Sequence, residues 1–88
     1  MNKTRKLVLD ILKPHQPDAL KFSSTLADLG TDYCVKLIVT EVDKNTESTI
    51  VTIEGADIHF DTIKEAIEKM GASVHSIDEV EVYGTELT

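Results

Sequence analysis

The stretch 33-YCVKLIVTEVDKNTESTIVTIEG-55 decides the fold, because it holds two strand-like runs with no helix between them. Tyr33 to Val42 is β-branched and apolar, Asp43 to Glu47 is a polar connection, and Thr49 to Glu54 is again strand-like before Gly55. So short a connection joins antiparallel neighbours, since parallel strands need a crossover of a dozen residues or more. Upstream, Ala19, Phe22, Leu26 and Leu29 recur at helical spacing, with Pro17 and Asp18 suited to a first turn and Gly30 to the residue just past the end. Before them, Leu7, Leu9 and Ile11 share one parity in a strand from Arg5 to Leu12, closed by Pro14 and Pro17. Downstream, Asp61 or Thr62 suits the cap of a second helix, Thr62 with Glu65 forming a capping box. Ile63, Ile67 and Met70 make its inward stripe, Gly71 ends it, and Val74 to Tyr83 is the last strand. The order is βαββαβ, the split βαβ pattern of the ferredoxin-like α+β sandwich. It implies one domain over residues 1–88: a four-stranded antiparallel sheet of order 4-1-3-2 with both helices on one face.

Composition bounds what such a domain does. A chain of 88 residues buries only about 60–65% of its unfolded surface, so its stability is thin or shared with partner subunits. Sixteen acidic residues against nine basic ones give a net charge of −7, and aromatic residues are only 5%. The phosphate-neutralising patches and stacking platforms of nucleic-acid binders are therefore missing. The acidic excess disfavours anionic membranes and concentrates cations. The one cysteine, Cys34, sits in an apolar run, which excludes an internal disulfide and reads as a buried, inert thiol. With no cleavable leader pattern and no apolar span of about 20 residues, a cytoplasmic protein is expected.

The parity of the strands places side chains. If Leu7, Leu9 and Ile11 meet the helices, Asp10 shares the uncovered face with Val8 and Leu12, and Ile50 and Thr52 lie there while Val51 and Ile53 turn inward. A half-apolar open face of this kind is a reasonable subunit interface. The last strand resists strict alternation, because Ile77 and the pair Val80 and Val82 fall on opposite parities. A β-bulge near Asp78–Glu79 would bring all three to one face.

The candidate chemistry is that of metal ligands. In this topology the end of the first strand meets the start of the last, so Asp10 and His15 are expected near His75 and Asp78, beside the Asp43–Glu47 connection. Asp10, Asp78 and Glu79 offer the hard oxygen ligands that Ca2+ and Mg2+ prefer, and a cation would relieve their mutual repulsion. Asp43 and Glu47 rank second. The bland alternative is solvated charge, or pairing with Lys13 or Arg5. His15 and His75, assisted by Asp10 or Asp78, suit Zn2+ or Ni2+ less specifically. His59, in the loop at the opposite end of the sheet, reads as a helix-start residue. An enzyme using His15 or His75 as general base is a third reading. It lacks an activated nucleophile, a phosphate cradle and a group to steady an oxyanion.

The segments 7-LVLDILKPH-15, 53-IEG-55 and 75-HSIDEV-80 resemble the small archaeal proteins grouped as domain of unknown function 211. The resemblance implies the same fold, a cytoplasmic archaeal-type protein, a ring-like homo-oligomer and calcium as a ligand, and no established activity. Together these readings predict a non-enzymatic regulatory or scaffold protein whose oligomeric state a divalent cation sets. The alternative is a module that binds a partner or small ligand on the open sheet face, for which fold analogy is the warrant.

Overall fold

The computed structural model describes residues 2–84, so the outermost positions of the expected 1–88 domain lie outside the described residues. Its elements are β1 (Asn2–Pro14), α1 (Ala19–Ala27), β2 (Cys34–Val42), β3 (Thr46–Glu54), α2 (Phe60–Lys69) and β4 (Ser73–Gly84). The strands form one antiparallel sheet in the order β2-β3-β1-β4, the expected order seen from its other edge. Leu7 faces Ile53 and Leu9 faces Val51 across β1 and β3, and all four are buried with Ile11. Phe22 and Leu26 of α1 and Ile63 and Ile67 of α2 close over them in one cluster. Both helices therefore cover one face, leaving Val8, Asp10, Ile50 and Thr52 half-exposed on the other.

The helix boundaries differ from those expected. Asp18 stands just outside α1 as its N-cap, its Oδ1 accepting the Lys21 N–H at 2.8 Å. The helix ends at Ala27, capped by Asp28, so Gly30 is not its terminator. Gly30 instead makes room for Tyr33: a Cβ there would stand 2.4 Å from two carbons of the ring. The second helix starts earlier than Asp61 or Thr62, at Phe60 behind His59, and the Thr62–Glu65 capping box does not form. Buried Ile58 donates its N–H to the Thr4 carbonyl at 2.8 Å, and this tie to β1 sets where the chain turns into the helix. Gly71 does end α2, in the left-handed region at φ +85°.

In β4 the expected bulge is present. Val8 pairs with Glu79 and Leu9 with Ile77, leaving Asp78 as the extra residue; His75 is a second one, between the Asp10–Ser76 and Ile11–Val74 pairs. Ile77 and Val80 thereby stand opposite Leu9 and Leu7 on the helix-facing side. Burial does not follow, since Ile77, Val80 and Val82 remain 47%, 56% and 50% exposed. Ile77 and Val80 stand level with buried Leu9 and Leu7, so it is the place of β4 at the edge of the sheet that leaves them uncovered. A strand of 13 residues spans about 43 Å, whereas helices of 9 and 10 residues span about 14–15 Å. The sheet outruns its helix layer, and the molecule is 54 Å long by 22 and 18 Å.

Cys34 corrects another expectation: it is exposed, not buried. It begins an edge strand and takes the outward parity, with half-buried Tyr33 and Val35 on either side of it.

Candidate functional site

The inward row of β1 continues one step past Ile11, and Lys13 is the residue that takes it, fully buried. Its Nζ stands over the Phe22 ring, 6.0 Å from the centroid. Nζ donates to the carbonyls of Pro14 at 2.8 Å and Pro17 at 2.7 Å and pairs with Glu47 Oε1 at 3.1 Å. An ammonium so enclosed needs every one of its three donors matched, and they are. Lys13 and Glu47 are register partners on β1 and β3, so sheet pairing itself delivers the carboxylate.

Glu47 has a second partner. His15 Nδ1 lies 3.0 Å from Glu47 Oε2, and His15 Nε2 lies 2.9 Å from the Lys44 carbonyl in the β2–β3 hairpin. The hydrogen bond to Glu47, then that to Lys44, hold the imidazole above its ordinary pKa. The Glu47 carboxyl is held below its ordinary range by His15 first and Lys13 second. His15 thus has both ring nitrogens engaged at the hairpin and does not join His75.

The remaining candidates lie on the open face. Asp10 pairs in register with Ser76, whose hydroxyl donates to Asp78 Oδ1 at 2.6 Å. Asp10 and His75 line one shallow groove of about 360 Å3 with Leu12, Thr40 and Ser48. Glu79 is bound to Lys6 at 3.0 Å, a contact that also raises the Lys6 pKa. The five expected ligands therefore divide: Asp10 and His75 line the groove, Asp78 accepts from Ser76, Glu79 pairs with a lysine, and His15 belongs to the hairpin. Among the described residues, no three His, Cys, Asp or Glu side chains converge closely enough to hold a metal ion. At the far end, His59 does precede α2, and its N–H donates to the Tyr33 hydroxyl at 3.0 Å.

Lys13 and Glu47 are the residues that sequence reasoning undervalued. The signal was present: Lys13 extends the parity of Leu7, Leu9 and Ile11 by one step, and the antiparallel register places Glu47 across from it. The residue that ends an inward row is not obliged to be apolar when a loop folds back to supply carbonyl partners.

Comparison with known proteins places the chain. The family profile described as uncharacterized ArCR, domain of unknown function 211, matches residues 5–88. The uncharacterized protein MJ0319 of Methanocaldococcus jannaschii is 49% identical over 80 residues, covering 91% of this chain and 82% of that protein. No helix among the described residues is long and apolar enough to cross a membrane.

Proposed function

As the chain belongs to the archaeal family called domain of unknown function 211, we propose that it is a small non-enzymatic regulatory or scaffold protein working as a homo-oligomer. A ring-like assembly with a divalent cation between copies, calcium ahead of zinc or nickel, is the form of this proposal. Its setting is the cytoplasm, in keeping with a fold that relies on no disulfide.

One observation carries the reading: the uncovered apolar row Ile77, Val80 and Val82 on the edge strand β4. An edge strand presents unpaired backbone donors and acceptors, and soluble proteins blunt such edges or cover them. Here the row is apolar, and Ile38, Val39 and Val42 are exposed on the other edge strand, β2. Two complementary edges on one molecule suit head-to-tail contacts, which close into a ring when the rotation allows. The cation has weaker support. Asp10 and Asp78 offer far fewer oxygens than the six to eight that Ca2+ takes as a rule, and among the described residues no three such side chains converge, so neighbouring copies would have to supply the rest of the shell.

Light scattering of the full chain in excess chelator and then in millimolar calcium tests both parts. The expected result is an oligomer whose mass or form changes with calcium, and a reduced mass for Val80→Lys. A constant oligomer removes the cation from the reading, and a persistent monomer removes the assembly. The groove across Asp10, Leu12, Thr40, Ser48 and His75 favours the second reading, a small-ligand or partner module on the open face. That reading predicts a monomer or dimer indifferent to chelator.

A further inference from the structure

The hairpin contacts of His15 carry an inference that goes beyond assembly and cations. Its two partners, the Glu47 carboxylate and the Lys44 carbonyl, only accept hydrogen bonds. Both ring nitrogens must therefore donate, and only the imidazolium has two N–H groups. A neutral ring satisfies one partner and turns a lone pair toward the other at about 3 Å, where the contact is repulsive.

We propose that His15 is a proton-dependent latch, tying the β2–β3 hairpin to the β1–α1 loop as the imidazolium and releasing one of its two ties when the proton leaves. The ties cross from one segment to another: His15 follows β1, Lys44 is in the hairpin, and Glu47 lies in β3 just after it. The charged groups around the ring are Glu47 and, through it, Lys13 at 3.1 Å. Lys44 and Asp43 lie in the hairpin, where their backbones also favour the charged ring. Asp18 at the start of α1 is occupied in capping Lys21. Glu47 is the one of these that the imidazolium pairs with. Without the proton, Glu47 keeps Lys13, so β1 and β3 stay joined and the change is confined to the hairpin tip and the loop. The hairpin carries exposed Val42 at the end of edge strand β2, which places the released segment beside a surface able to contact another molecule.

The test is a titration of the full chain by nitrogen-15 NMR from pH 5 to pH 9 in chelator, following the His15 ring and the hairpin amides together. At pH 6 both ring nitrogens should be protonated, with a midpoint above the ordinary imidazole value of about 6.5. Across that midpoint, the hydrogen-exchange protection of the hairpin amides, corrected for intrinsic rates, should fall by on the order of tenfold. His15→Gln should abolish the fall, and Glu47→Gln should move the midpoint down. A single-proton tautomer of His15 at pH 6 overturns the proposal. Hairpin protection that ignores the His15 titration, or that falls equally in His15→Gln, overturns it as well.

Discussion

Lys13→Met should be among the most damaging polar substitutions in the chain, and its cost follows from the contacts of one nitrogen. Methionine keeps most of the buried stem but removes Nζ, so the carbonyls of Pro14 and Pro17 and one oxygen of Glu47 lose their donor together. An acceptor left unpaired in a site closed to water costs about 1–3 kcal/mol. The two carbonyls belong to half-buried residues, which places them in the lower part of that range, and Glu47 retains His15. Relief from burying an ammonium offsets part of the loss. The net expectation is about 2–3 kcal/mol. In urea, a small domain with m near about 1 kcal/mol/M should show a midpoint lower by about 2–3 M with an unchanged slope. The measurement is urea unfolding followed by circular dichroism at one protein concentration for both chains, since assembly would add its own stabilisation. A loss below about 1 kcal/mol would refute the reasoning, because it would mean that water already serves those acceptors.

Other outcomes follow from the same contacts. The folded-state pKa of Glu47 is lowered, so its contribution to stability is present above the ordinary carboxylate value of about 4.3 and is lost as pH falls through the lowered value; Glu47→Gln should flatten this acid limb in unfolding curves from pH 2 to pH 5. The His15 value is raised, so its contribution is complete below about 6.5 and disappears as pH rises through the folded value; His15→Gln should flatten that limb instead. Gly30→Ala puts a methyl group 2.4 Å from the Tyr33 ring, which should cost about 1–3 kcal/mol by thermal unfolding and expose the His59 amide to exchange. Thr49→Val removes a buried hydroxyl that donates to the Ile11 carbonyl at 2.8 Å, and a loss of about 1 kcal/mol is expected; no loss would show that the carbonyl finds another donor.

The fold was legible in the sequence because period-2 rows, helical stripes and Gly71 are local patterns, and a short hairpin between β2 and β3 leaves few topologies for six elements. The parity of Leu7, Leu9 and Ile11, and the bulge demanded by Ile77, Val80 and Val82, were readable for the same reason. Local pattern does not report how far one layer reaches over another. The exposure of Ile77 and Val80, level with buried Leu9 and Leu7, comes from β4 lying at one edge of the sheet, and that of Cys34 from β2 lying at the other. The site was less legible still. That the end of β1 approaches the start of β4 followed from topology, and Asp10 does lie beside His75 and Ser76. His15 left that group because the chain after Pro14 turns toward the hairpin, where Lys13 finds its carbonyls and Glu47 bridges the two cations. Element order and the inward rows of β1 and β3 are properties of the chain and were settled by sequence alone; the second bulge at His75 and the partners of Lys13, His15 and Glu47 were decided by tertiary structure, because a buried charge takes whatever acceptors the folded backbone brings within reach.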